Sequence, residues 1–228
     1  NPRSSRTVPY LSKATGVPLA DVATLVMLGK SLAEQGYTGR YMPERKRWYV
    51  KAPVFSFSKL TGMDAYLSPE MKSTGEVIGY DRKFLRAMYK AMVASGIRLR
   101  DCGKVIVTLA DEDKEEALPL IRRFYDMGFA IEATIGTANF LNAHGVPTTL
   151  RGKPSEGSWE ILEAIKAKDV SYVINTRAIL SGIHYVDGVA IRRCACQNNV
   201  TMLTSLDTVS VLLDVLEETM FGVSTIDA

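Results

Sequence analysis

The chain has 228 residues, 46% hydrophobic and 23% charged, with a formal net charge of +3. This size accommodates one large domain, or one domain plus a substantial piece of another, around a true core. Its 28 basic and 25 acidic residues are interspersed, which argues against nucleic acid as a partner, and no apolar run reaches the length of a membrane span.

Three cysteines, Cys102, Cys194 and Cys196, make no disulfide framework and point to a reducing cytoplasm. The two histidines, His144 and His184, are too few for a multi-histidine metal site. The chain starts at Asn1 with "NPRSSRTVPYL", which reads like the middle of a longer polypeptide.

Up to about Asp81 the pattern is irregular. A helix is expected over "LADVATLVMLGKSLAEQG", ending at Gly36. "RWYVKAPVFSF" reads as a strand, which Pro53 confines to an edge or bulge. "FLRAMYKAMVASG" is an amphipathic helix ending on glycine. The expected division is a domain tail over residues 1–81, a connecting helix over 82–98 and a second domain over 99–228.

From Gly103 onward strands and helices alternate. The strands are "KVIVTL", "FAIEAT", "VPTTL", "SYVIN" and "VTML". The helices between and after them are "DKEEALPLIRRFYDMG", "TANFLNAHG", "SWEILEAIKAK", "DGVAIRRCACQNN" and "SLDTVSVLLDVLEE". Pro119 costs about 3 kcal/mol in a helix interior, but the apolar face of its segment continues past it. Apolar strands without in/out alternation are buried on both faces, hence parallel, and right-handed crossovers put helices on both sides. The expected fold class is therefore α/β, a Rossmann-like open five-stranded parallel sheet with helices on both faces.

Ligands of open parallel sheets bind beyond the carboxyl ends of the strands. That rim is expected to receive Thr108 and Lys114 from the first strand and Thr134, Gly136 and Thr137 from the second. The third supplies Arg151 and Lys153, the fourth Asn175 and Arg177, and the fifth Thr204 and Ser205. Basic side chains, hydroxyls and helix N-termini together favour a phosphate or another anion. Each residue also has a plain structural role open to it. Thr137 or Ser205 is an ordinary helix cap, Gly136 serves a tight turn, Lys114 balances the acids of "DEDKEE", and Asn175 bonds its own turn. His144 belongs to the end of a helix and His184 to a loop. Cys194 and Cys196 lie two apart on a helix and face different directions.

"NPRSSRTVPYLSKATGVPLADVATLVMLGKSL" and "PEMKSTGEVIG" resemble the end of the second ATP-grasp unit of carbamoyl-phosphate synthase large subunits. "EATIGTANFL", "VINT" and "GVAIRR" resemble their C-terminal regulatory domain, which has the methylglyoxal-synthase-like fold. The resemblance covers essentially the whole chain. It implies a parent ATP-dependent ligase of pyrimidine and arginine biosynthesis, cytoplasmic, with magnesium and ATP as cofactors and a glutaminase small subunit as partner. It implies that Asn1 helps hold magnesium, with a glutamate beyond this chain, and that Arg3 and Arg6 flank the transferred phosphate. The rest of that site is missing, so this chain by itself is expected to be catalytically inactive.

In the regulatory domain the resemblance implies an allosteric nucleotide, of the uridine or inosine monophosphate type. Its phosphate would meet Lys114, Thr134, Thr137, Lys153 and Asn175. "TRAILSGIHYVDG" departs from the run of threonine, serine and glycine that nucleotide-controlled members carry, with Arg177 in place of a hydroxyl. Ala52 stands where ornithine-activated members have a glutamate. A methylglyoxal synthase would need rim carboxylates, yet "GKPSEGSW" has Ser158 at the expected aspartate, with only Glu156 nearby. A scaffold module that packs as a homo-oligomer is the other alternative.

Overall fold

A computed structural model describes residues 5–39, 45–59, 64–66, 69–167, 169–176 and 182–220, with the side chains of 182–185 and 220 outside the description. The chain divides into two compact units, Asn1–Val54 with Gly75–Ser95, and Phe55–Thr74 with Gly96–Ala228.

In the first unit, α1 (Thr7–Thr15) and α2 (Leu19–Met27) precede a two-stranded antiparallel sheet of β1 (Trp48–Val54) and β2 (Gly75–Asp81). Both strands of such a pair are edges, so Pro53, opposite Glu76, is tolerated. Helix α3 (Phe84–Ala94) packs on β2, where Gly79 admits its backbone: a Cβ there would lie 2.2 Å from the Ala87 carbonyl oxygen.

The expected helix to Gly36 is shorter than its apolar pattern. It stops at Met27, because Gly29 turns left-handed at φ 93°. Gly29 N–H then donates to Val26 O and Lys30 N–H to Leu25 O, which satisfies carbonyls that a continuing helix would have bonded.

The second unit contains the expected sheet. Its strands are β3 (Lys104–Thr108), β4 (Ala130–Thr134), β5 (Thr148–Arg151), β6 (Val170–Asn175) and β7 (Thr201–Leu203), all parallel, in the order β5-β4-β3-β6-β7. The helices are α4 (Lys114–Asp126), α5 (Ile135–Ala143), α6 (Glu160–Lys166), α7 (Gly182–Gln197) and α8 (Leu206–Met220). Helix α4 runs through Pro119 as expected.

The central strands are buried on both faces. Ile106 and Val173 pack with Ile161, Ile165 and Ile191 of α6 and α7. On β6, Tyr172 instead meets Phe124 and Phe129, at ring distances of 5.6 and 5.8 Å. Neighbouring strand residues thus feed two different cores, which is why these strands carry no polar alternation.

Candidate functional site

The chain leaves β3 in one direction, to β4 and β5, and returns across it to β6 and β7. The strand order therefore reverses between β3 and β6, and a crevice opens beyond their carboxyl ends. Thr108 and Asn175 are register partners at those two ends. A cleft of about 380 Å³ lies there, lined by seven of the residues expected of the rim: Thr108, Lys114, Thr134, Gly136, Thr137, Lys153 and Asn175.

Each is held by its element. Thr134 closes β4 and is the N-cap of α5, extended at φ −65° and ψ 156°, with no side-chain cap bond. The first-turn N–H groups of α5 have no intrahelical acceptor, so this end of α5 presents donors and a positive dipole to the cleft. Thr137 sits inside that first turn rather than at the cap. It is buried, and its hydroxyl accepts a 3.2 Å bond from Leu109 N–H, which ties α5 to the loop after β3. Ala110 N–H in the same loop donates to Thr176 Oγ1 at 2.9 Å. The loop is therefore clamped from both sides of β3.

The cleft also carries Asp111, Glu112, Glu156 and Asp187, so it is not uniformly basic. Lys114 Nζ pairs with Asp111 at 2.6 Å, but that carboxylate is 95% exposed. An ion pair with one partner in bulk water is worth about 0–1 kcal/mol, less than the roughly 1.5–3 kcal/mol of a hydrogen bond between a cation and a buried anion. Lys153 Nζ lies 3.7 Å from Asp187 and 3.8 Å from Glu156, beyond hydrogen-bond length. Asp187 instead accepts the Ser155 N–H at 3.0 Å and the Ser155 hydroxyl. It anchors the loop that carries Lys153.

Other expected rim residues do not reach the cleft. Arg151 ends β5 and forks onto Glu132 of β4, at 2.8 and 3.1 Å, with Lys104 at 3.4 Å from the same carboxylate. Burial pushes the Glu132 carboxyl up, but the hydrogen bonds and charges of Arg151 and Lys104 outweigh it and hold the group below the usual range. Thr204 and Ser205 do not line the cleft, and Ser205 directly precedes α8, its carbonyl accepting from Val209 N–H. Arg177 lies outside the described residues.

His144 caps the end of α5, its Nδ1 2.8 Å from Phe140 O. His184 is in α7 rather than in a loop, because that helix begins at Gly182, five residues before the expected start at Asp187. Of the residues implied for the ATP-grasp site, Asn1 and Arg3 lie outside the described residues, and Arg6 is the N-cap of α1 in the first unit.

Sequence reasoning missed Thr176, Asp187 and Arg192, which also line the cleft. Thr176 directly follows a strand end and was available to the rim argument. Asp187 and Arg192 carried no such signal, since helix periodicity cannot say which α7 residues turn toward the sheet's edge.

A parallel sheet flanked by helices, with a polar cleft at its reversal point, defines a Rossmann-like α/β module. Residues 116–204 match the family model of the MGS-like domain. The second unit thus contains an MGS-like domain at residues 116–204, and its five-stranded parallel sheet has the expected fold class.

Proposed function

We propose that the cleft binds the phosphate of a nucleotide. In this reading the chain is the C-terminal regulatory part of a carbamoyl-phosphate synthase large subunit. The observation that carries it is convergence: two lysines, two strand-end hydroxyls, an asparagine and the N-terminus of α5 meet in one cleft at the reversal of the sheet. The phosphate takes the place of Asp111 on Lys114, draws in Lys153 and accepts from the first turn of α5.

The nucleotide, of the uridine or inosine monophosphate type, biases a distant ATP- and magnesium-dependent ligase site by the differential affinity it has for two states. The first unit then belongs to the parent's ATP-grasp domain, and the glutaminase subunit is a partner of the parent. Thermal unfolding of the 228-residue chain with uridine monophosphate tests the reading. Ligand at about 100 times Kd adds about 2.7 kcal/mol of stability, hence a rise of several degrees. An unchanged midpoint with every nucleotide and with phosphate supports a scaffold role instead.

The carboxylates in the cleft keep a second reading testable, a lyase acting on a triose phosphate. Asp187 speaks against it, because both its oxygens are engaged by Ser155. Release of methylglyoxal from dihydroxyacetone phosphate would establish the lyase.

A further inference from the structure

Beneath the cleft floor runs a polar chain that begins far away in sequence. Arg192 of α7 is only 2% exposed. Its Nε and Nη2 fork onto the two oxygens of Asp64, each at 2.7 Å, and its guanidinium lies 5.5 Å from the Tyr66 ring. Its remaining nitrogen, Nη1, donates to Asn175 Oδ1 at 2.6 Å. Asn175 Nδ2 in turn donates to Thr108 Oγ1.

The chemistry of these groups leaves one arrangement. A guanidinium has donors and no acceptor, so the Asn175 oxygen must face it and the amide N–H groups must face Thr108 and the cleft. Thr108 Oγ1 accepts from Asn175, and its own proton has a distant acceptor, Ile174 O at 3.5 Å. Both residues line the cleft, so the Thr108 hydroxyl and the second amide N–H of Asn175 are the donors a ligand at this floor would meet.

We infer that Arg192 is a positioning residue that sets the hydrogen-bond polarity of the Thr108–Asn175 floor: by engaging the oxygen of Asn175 it fixes the amide with its donors turned away from the guanidinium, which favours anionic ligand groups there over groups that donate. This deepens the phosphate reading given above and rests on it.

Two further observations point the same way. Gly188, one turn before Arg192, leaves the corridor that the guanidinium needs, since a Cβ there would sit 2.9 Å from Arg192 Nη1 and 3.6 Å from Asn175 Oδ1. A glycine inside a helix costs up to about 1 kcal/mol relative to alanine, so it has a reason to be there. The Asp64 segment is itself pinned, with Lys72 Nζ donating to Asp64 O at 3.3 Å and Tyr66 O at 2.6 Å. The polarity of the cleft thus depends on a carboxylate that never touches the ligand.

The test uses the full chain, with inorganic phosphate and uridine monophosphate as probes. Two readouts are followed: affinity by calorimetry, and the Asn175 side-chain amide by NMR, assigned through its loss in Asn175→Asp. In the unaltered chain the amide protons are expected to exchange slowly and to shift when phosphate is added. Gly188→Ala and Asp64→Asn are expected to weaken phosphate binding at least fivefold and to move the Asn175 resonances toward those of a free amide. Asp64→Glu, which keeps the charge, is expected to recover both.

Because Arg192→Met would bury an unpaired carboxylate and is prone to misfold, the two milder variants carry the test, with folding checked by circular dichroism. Folded Gly188→Ala and Asp64→Asn chains with unchanged affinity and unchanged Asn175 resonances overturn the inference and reduce Arg192 to a structural ion pair. If the unaltered chain binds neither probe, the phosphate reading falls. The Asn175 signal then still decides the positioning role, which survives if the amide is protected and Gly188→Ala releases it, and fails otherwise.

Discussion

Lys153 and Glu132 show charged side chains serving two different ends. The Lys153 ammonium lies 3.7 Å from Asp187 at the edge of the cleft, where a bound phosphate would add a charge-assisted bond to it. Lys153→Met is expected to weaken phosphate or nucleotide binding by roughly 1.5–3 kcal/mol, with the unfolding midpoint of the unliganded chain nearly unchanged. Calorimetric titration checks it, and equal affinities would place the phosphate elsewhere.

Glu132 is 3% exposed and serves stability. Its carboxyl is held below the usual range, because Arg151 and Lys104 outweigh the effect of burial. A group with a depressed folded pKa stabilises above its unfolded value, about 4.3 for glutamate, and loses that stabilisation as pH falls through the folded value. The midpoint of the second unit should therefore drop as pH falls below about 4. Glu132→Gln should be less stable at pH 7 and show a smaller acid drop, as thermal scans at the two pH values would reveal.

At the scale of elements, two neighbours on α4 separate packing from charge. Phe124 is fully buried between Phe129 and Tyr172. Arg123 reaches Asp214 at 2.7 Å and Glu217 at 2.8 and 2.9 Å on α8, at a partly exposed surface. Phe124→Ala is expected to cost about 3–5 kcal/mol through lost burial and an incompletely closed cavity. Arg123→Met should cost about 1 kcal/mol or less, shrinking further in high salt, because exposed pairs are screened. Denaturant unfolding of both variants at two salt concentrations gives the comparison.

Elements were largely legible where one residue decides locally. Val105, Ile106 and Val107 announce a strand buried on both faces, and the 3.6-residue spacing of Ala117, Ile121 and Phe124 announces α4. The length of α2 was not legible. Its apolar positions continue past Met27, and only the left-handed turn at Gly29 shows that the chain has left the helix.

Over the whole molecule the compact units ignore a simple cut in the sequence. Residues 55–74 group with the parallel sheet, and Asp64 among them is paired with Arg192. Burial pushes the Asp64 carboxyl up, yet the hydrogen bonds and charge of Arg192 leave it below the usual range, so the pair is ionised at neutral pH. A chain starting at residue 96 would contain every strand of that sheet and leave Arg192 without its carboxylate. Removing one partner of a buried pair typically costs 3–5 kcal/mol. The truncated chain is therefore expected to unfold well below the full chain in thermal scans, and a chain starting at residue 55 to recover most of the loss. Equal midpoints for the first two would show that Asp64 contributes nothing.

The sequence by itself determined the five strands, their helices and the parallel sheet, because apolar runs and helical spacing are properties of near neighbours. It also determined the roster at the strand ends, since a residue that closes a parallel strand stands at that edge of the sheet. Only the tertiary structure decided the strand order, and with it that Thr108 and Asn175 stand side by side. It turned Arg151 away to Glu132 and left two of the expected cations, Lys114 and Lys153, in the cleft. It also brought Arg192 to Asp64, 128 positions away. Such pairings depend on which faces of distant elements meet, and no local periodicity encodes that.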